Sequence, residues 1–348
     1  MDRAQFRDAK KILVMGVNWV GDTVLSLPAM RALRRLFPGV HIGFLVKAYL
    51  GDLLREVSDV DEVIPYQTRT GFNRWADELR MVRALRRGGF DVALILPRSL
   101  RSALVAYLAA IPVRVGYVDE GRGFLLTHGI PRTGSLLRLH RTQYYLHLIE
   151  CMGGVTKGDA PVIEVAPDMR RWAHGYLRSC GMGDNRPVVG FNPGATYGSA
   201  KCWDPNRFSA LGSRLCRDQG AGILIFGSQG ERELAAMIAR GIDGMAVNLA
   251  GSTTLPQLAA LMASCDVVVT NDTGPMHISA AVKTPVVAIF GSTDPVTTGP
   301  RGNGHIIVRK EVSCSPCFKR VCPTDHRCMD LISTDDVQEA LNRIIGGD

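Results

Sequence analysis

Short runs that are apolar at nearly every position, each followed by a helical pattern, occur in two series along this chain. The first series opens at residues 11–17 (KILVMGV) and continues at 41–46 (HIGFLV), 62–65, 90–96 (FDVALIL) and 113–117. Helical patterns intervene at 23–37, 50–56, 75–87 and 102–110. Runs without polar alternation suit strands buried on both faces, as in parallel sheets covered by helices. The series restarts at 188–192 (VVGFN) and continues at 222–226, 247–249, 267–270 and 285–290, with helices expected at 205–218, 231–239, 255–264 and 275–282. The pattern predicts two α/β domains, each a doubly wound parallel sheet. Turn chemistry at 181–187 (GMGDNRP) places the boundary, with one domain at 1–180 and the other at 187–332. A helix is also expected at 168–180, within the first domain, and a last helix at 333–346, capped by Ser333 or Thr334. Thr23 is expected to cap the first helix, with Pro28 in its first turns.

A length of 348 residues suits two domains. The formal charge of +8 is unevenly spread: residues 1–166 carry 23 Lys+Arg against 16 Asp+Glu, and residues 167–348 carry 18 against 17. A basic first half suits an acidic partner, such as nucleic acid, an anionic membrane surface or a phosphorylated substrate, beside the plainer reading of a solvated face. No nucleic-acid motif accompanies the arginines, which disfavours a nucleic-acid-binding protein. No leader is read at the N-terminus, and no apolar run nears the ~18 residues of a membrane span. The chain is expected to be cytoplasmic, soluble or peripheral, with its nine cysteines as thiols.

Ligands of doubly wound sheets sit beyond the carboxyl ends of the strands, and the chemistry-bearing segments lie there. Gly16-Val17-Asn18-Trp19-Val20-Gly21-Asp22 follows the first strand. It is not the G-x-G-x-x-G fingerprint, which disfavours a dehydrogenase. Asp22 reads either as a helix-capping acid or as a general base. After the first strand of the second domain comes Asn192-Pro193-Gly194-Ala195-Thr196, then Lys201-Cys202-Trp203, where backbone N–H groups, the Thr196 hydroxyl and the Lys201 ammonium could meet on a phosphate. The other reading leaves Lys201 solvated and Trp203 in the core. Asn271-Asp272-Thr273-Gly274-Pro275-Met276-His277 opens a helix, with Asp272 or Thr273 as its cap and an anion site at its N-terminus. Gly227-Ser228 with Glu231 repeats the arrangement, as a ribose-binding acid or another cap. Cys314, Cys317, Cys322 and Cys328, with His326 among them, read as packed loop thiols or as a zinc site.

Together these residues resemble glycosyltransferase family nine, the lipopolysaccharide heptosyltransferases. The similarity lies in NWVGDTVLSLPA, NPGATYGSAKCW and VVVTNDTGPMHISAAVKTPVVAIFGSTDP, in that order over almost the whole chain. The tail CSPCFKRVCPTDHRCM is similar to the family's type II branch. The resemblance implies a GT-B fold, two Rossmann-like domains facing across a cleft, with the final helix packing back on the N-terminal one. It implies inverting, metal-independent transfer of L-glycero-D-manno-heptose from ADP-heptose to the first heptose of the inner core, with no cofactor. The family's general base falls on Asp22, its phosphate-binding lysine on Lys201 beside Thr196, its ribose-binding acid on Glu231, and its donor loop on Asp272, Thr273, Gly274 and His277. Tyr197 stands where the family has a second threonine. The acceptor would be anionic core lipopolysaccharide at the cytoplasmic face of the inner membrane, met by a peripheral monomer, with Arg69, Arg98, Arg101 and Arg141 as the acceptor-side candidates. A type I-like step, or another donor, is the alternative.

Overall fold

A computed structural model describes residues 6, 8–55, 57–67, 69, 73–183 and 186–346, and the chain divides into two compact units, Met1–Ala160 and Pro161–Asp348. The first unit runs β1 (Lys11–Met15), α1 (Val20–Leu36), β2 (His41–Lys47), α2 (Ala48–Leu54), β3 (Glu62–Tyr66), α3 (Asn73–Gly88), β4 (Val92–Ile95), α4 (Leu100–Leu108), β5 (Val113–Val118), β6 (His128–Pro131), α5 (Gly134–Leu137) and α6 (Arg141–Cys151). Its strands lie in the order β3-β2-β1-β4-β5-β6, all parallel, with Ile12 of β1 opposite Ile42 of β2 and Val92 of β4. Strand order reverses between β1 and β4, so their carboxyl ends flank the crevice where such sheets bind ligands. β4 is buried at every position, which is why it reads as an unbroken apolar run. At the exit from β1, a Cβ on Gly16 would stand 2.8 Å from both Phe44 and Val46, so only glycine lets the chain leave the sheet there.

The second unit runs α7 (Pro167–Ser179), β7 (Val188–Asn192), α8 (Pro205–Gln219), β8 (Gly222–Ile225), α9 (Arg232–Gly241), β9 (Ala246–Asn248), α10 (Leu255–Ala263), β10 (Val267–Asn271), α11 (Gly274–Ala281), β11 (Val286–Phe290), α12 (Pro295–Thr298), β12 (Ile306–Arg309), α13 (Arg327–Asp330) and α14 (Thr334–Ile345). Its parallel order, β12-β11-β10-β7-β8-β9, repeats that of the first unit. Here the switch point lies between β7 and β10, both fully buried. Two doubly wound parallel sheets are the fold the sequence predicts.

Four expectations need correction. The division falls after Ala160 instead of at 181–187. α7 belongs to the second unit, where it packs on α10, and Ile163 N–H donates to Ala281 O at 3.0 Å. Residues 184 and 185 of the turn-rich 181–187 stretch lie outside the described residues; the rest of it follows α7 within the second unit. The final helix was expected on the first domain, yet α14 packs on α8 and buries Val337, Ala340 and Leu341 in the core of the second unit. Ser333 does cap it, in a reciprocal box with Asp336. α1 starts earlier than expected, with Trp19 at its N-cap, so Thr23 lies inside the helix, buried, and its hydroxyl donates to Val17 O at 3.3 Å; Pro28 is likewise interior.

Candidate active site

In the second unit, the loops after β7, β8, β10 and β11 meet at the switch point. Asn271, wholly buried at the end of β10, stitches two of them. Its Nδ2 donates to Pro193 O at 2.6 Å, and its Oδ1 accepts from Trp203 N–H at 3.1 Å. Trp203 is itself core, its indole N–H donating to Ile332 O at 2.8 Å. This fixes the short turn that carries Lys201. The Lys201 ammonium donates to Asp272 Oδ2 at 2.6 Å and to Asp272 O at 3.3 Å. The pair is nearly dry, with side chains 13% and 4% exposed. Thr293, from the loop after β11, donates its hydroxyl to the same Asp272 oxygen at 2.6 Å. Lys201 is therefore not the solvated lysine of the plainer reading. An ammonium has three donor directions, and Asp272 occupies two, which leaves one for a ligand oxygen.

Asp272 faces Lys201 and Thr293, so it does not cap α11. Thr273 holds the N-cap position without a side-chain cap bond, and Gly274-Pro275 open the helix. The N-terminal N–H groups and the positive end of the helix dipole thus lie beside the lysine cluster, which is the physical requirement of an anion site. His277 follows on the same helix, 6% exposed. Thr196 is exposed, in the turn closed by Gly198 N–H to Ala195 O at 3.1 Å. Glu231 is seen in its capping role. Oε2 accepts from Ser228 N–H and Oγ–H, each at 2.7 Å, as a capping acid. Oε1 lies 1.8 Å from where a Cβ on Gly194 would stand, so the carboxylate is seated against the post-β7 loop and requires glycine there.

Tyr197 is more engaged than the sequence suggested. Its ring centroid lies 4.9 Å from Lys201 Nζ and 5.3 Å from the Arg320 guanidinium, and its hydroxyl donates to Phe318 O at 2.8 Å. Ala200 N–H donates to Arg320 O at 3.0 Å, and His326 Nε2 lies 3.3 Å from Ala200 O. The cysteine segment thus braces the lysine turn through its backbone. Cys314, Cys317, Cys322 and Cys328 line a single pocket with Lys319 and His326. All four are free thiols, and among the described residues no three His, Cys, Asp or Glu side chains gather as metal ligands. Bonds from Thr324 draw the Cys322 thiol below its ordinary pKa, while burial raises that of Cys328.

In the first unit, Asp22 sits in the first turn of α1, where the helix dipole favours a carboxylate. α6 packs along α1 and brings two partners: the Tyr145 hydroxyl donates to Asp22 Oδ1 at 3.1 Å, and Arg141 Nε stands 3.8 Å from the same oxygen. Burial, reinforced by the Asp22 charge, pushes the Tyr145 phenol well above its ordinary pKa, so it stays a donor. Of the other candidate arginines, Arg101 lines a small pocket with Gly16, Asn18 and Tyr66, and is paired with Glu78. Arg69 is held by Asp77 at 2.8 Å, and Arg98 stands 3.6 Å from Asp119.

A match to glycosyltransferase family 9 (heptosyltransferase) spans residues 78–327. The chain belongs to this family. It is 32% identical over 309 residues to lipopolysaccharide heptosyltransferase 2 of Escherichia coli K12, covering 86% of this chain and 88% of that protein. It is 31% identical over 311 residues to lipooligosaccharide heptosyltransferase 2 of Haemophilus ducreyi, covering 86% and 88%. The solved structure of E. coli ADP-heptose lipopolysaccharide heptosyltransferase II superposes with a TM-score of 0.83 at 28% identity, over 97% of this chain and 99% of that one. The family 9 glycosyltransferase of Veillonella parvula shares the fold, with a TM-score of 0.86 at 23% identity over 97% and 98%. The chain is therefore a glycosyltransferase of the GT-B class.

Sequence reasoning missed several supports of this family site. Thr293 has no signal beyond its place after a strand, and Asn271, although part of the motif that opens α11, gave no sign that it ties the loops after β7 together. Arg122 is wholly buried, and donates to the carbonyls of Tyr117, Pro97 and Ser99 and to Ser102 Oγ. It thereby fixes the loop that bears Arg98 and leads to Arg101. Burial draws its pKa down to about 10. Tyr66 was also missed: it donates to Asn18 Oδ1 at 2.9 Å, with Lys47 4.9 Å and Arg101 5.8 Å from its ring centroid.

Proposed function

We propose that this glycosyltransferase moves L-glycero-D-manno-heptose from ADP-heptose to the first heptose of the lipopolysaccharide inner core, with inversion and without a metal ion. The observation that carries the reading is the buried Lys201–Asp272–Thr293 cluster beside the open N-terminus of α11. Departure of ADP builds negative charge on a phosphate oxygen, and a fixed ammonium with backbone N–H groups stabilises that charge in place of a metal. Lys201, Thr196 and the N–H groups of Thr273 and Gly274 meet the diphosphate. Glu231 takes the ribose hydroxyls, and Asp272 and His277 complete the donor loop. Similarity to proteins named lipopolysaccharide or lipooligosaccharide heptosyltransferase 2 and ADP-heptose heptosyltransferase II supports this choice of donor, acceptor class and type II step.

Inversion needs a base on the face of the anomeric carbon opposite ADP. Asp22 fills that role: its carboxylate takes the acceptor hydroxyl proton as that oxygen bonds to the anomeric carbon and the bond to ADP breaks. Tyr145 and Arg141 hold the carboxylate oriented. Arg69, Arg98, Arg101 and Arg141 serve the anionic acceptor, whose membrane anchorage puts the enzyme at the cytoplasmic face of the inner membrane.

The test is ADP release from ADP-heptose in EDTA, with a one-heptose core or a heptose-free core. Release with the one-heptose core is expected. Release only with the heptose-free core moves the chain to the type I step, and loss of release in EDTA refutes metal independence.

A further inference from the structure

α4 is a surface helix whose exposed residues are all large hydrophobes. Leu100, Leu104, Tyr107 and Leu108 are 42%, 40%, 51% and 50% exposed, while Ala103, Val105 and Ala106 face the core. Spacings of four, seven and eight residues set the exposed four in one stripe. A helix apolar on both faces is ordinarily enclosed, yet among the described residues these four side chains stay at least 40% exposed, with the Arg114 guanidinium 5.4 Å from the Tyr107 ring centroid. Phe124, 79% exposed, extends the stripe from the turn Arg122–Leu125, which packs against α4.

The neighbouring α3 supplies the charge. It packs on α4 through the Glu78–Arg101 ion pair. Its Asp77 and Ala84 flank turns to a pocket lined by Pro65 and Tyr66, on the β2–β3 side. The helical period therefore turns the other flank, with Trp75, Arg83 and Arg86, towards the α4 side. Trp75 is 76% exposed. Both acids of α3 are already paired, Asp77 with Arg69 and Arg80 and Glu78 with Arg101, so no acid of α3 is left over for Arg83, Arg86 and Arg87, which add positive charge to the helix.

We propose that this surface docks the enzyme on an anionic lipid bilayer. An apolar stripe carrying Trp, Tyr and Phe beside arginines is the pattern of interfacial helices, which seat apolar residues at the acyl boundary and cations among headgroups. The first unit carries most of the chain's excess charge, which complements an anionic leaflet. The inference rests on the proposed acceptor, a lipid-anchored core, for its purpose but not for its test.

The experiment is sedimentation of the full chain with vesicles of phosphatidylethanolamine and phosphatidylglycerol, or of neutral phosphatidylcholine, without donor or acceptor. Binding to the anionic vesicles is expected, weakening with salt. Leu104→Ser with Leu108→Ser should lower partitioning at least tenfold. Arg83→Gln, Arg86→Gln and Arg87→Gln together should lower it by ~100-fold, from about fivefold per arginine near such a surface. Both variants should keep their rate on a delipidated, water-soluble core acceptor. Absent vesicle binding, or binding unchanged in both variants, overturns the proposal. A concentration-dependent dimer abolished by the leucine variant assigns the surface to a second copy and overturns it too. Failure of the parent and both variants on the soluble acceptor refutes the proposed acceptor, not the membrane surface.

Discussion

Lys201 does two jobs in this account, and replacing it with methionine separates them. The Lys201–Asp272 pair is nearly excluded from water, at 13% and 4% side-chain exposure. Removing one partner of such a pair typically costs ~3–5 kcal/mol, because the other charge stays buried. Two features limit the loss. Thr293 still donates to the Asp272 carboxylate. A stranded carboxylate can also escape by taking up a proton, which for an ordinary carboxyl at pH 7 costs ~4 kcal/mol. Lys201→Met should therefore destabilise the second unit by ~3 kcal/mol, or roughly 6–12 °C in melting temperature for a unit of this size. The loss should shrink towards pH 5, where the escape costs only ~1.5 kcal/mol. Adding Asp272→Asn removes the stranded charge, so the double variant should be more stable than Lys201→Met alone. Turnover should not follow stability, since both variants lack the cation at the leaving group. Thermal unfolding at both pH values, with donor-saturated rates, reads the two quantities. A Lys201→Met protein within ~0.5 kcal/mol of the parent would mean that the pair is solvated, like a surface ion pair. Recovery of turnover in the double variant would remove Lys201 from the chemistry.

Three further outcomes follow from the geometry. Tyr145→Phe deletes the donor to Asp22 and should lower kcat roughly tenfold with the donor KM unchanged, since it misorients a base without touching the donor; a change confined to KM refutes that role. Gly194→Ala drives a methyl into Glu231 Oε1, 1.8 Å away, and should raise the donor KM about tenfold, the equivalent of one displaced hydrogen bond; unchanged donor titrations would detach Glu231 from the donor. Arg34 and the Ile42 N–H hold Asp61 below its usual pKa despite partial burial, Arg69 holds Asp77 near 2, and Lys310 and Ser333 lower Asp336 despite partial burial. Depressed folded values stabilise the protein above the unfolded carboxylate range, so stability should hold above about pH 4.5 and fall as pH drops towards 2; a melting temperature flat across that window contradicts the pairing.

The central strands were legible because they are buried on both faces and read as apolar runs. The sixth strand of each sheet was not. β6 buries only Ile130 and β12 only Val308, so an edge strand of four residues leaves almost no pattern. The domain boundary was misplaced because 181–187 has the chemistry of a linker while serving as a connection inside one unit. The motif residues around Lys201 and Asp272 were found from their position after strands. What escaped was long-range: Thr293 joining Asp272 across 21 residues, Tyr145 reaching Asp22 across 123, and Arg320 arriving beside Tyr197. Such contacts are set by helix packing and loop closure, which have no local period in the sequence.

The claim that Asp22 performs the chemistry while the loops after β7 and β10 hold the donor is tested most directly with Asp22→Asn. Calorimetric titration with ADP-heptose and turnover on the one-heptose core should be measured on the same preparation. The account predicts donor affinity within about twofold of the parent and turnover lower by roughly 10²–10⁴, the range for a general base. Turnover near the parental rate would contradict it, and so would a loss of donor binding that accounts for the whole loss of rate.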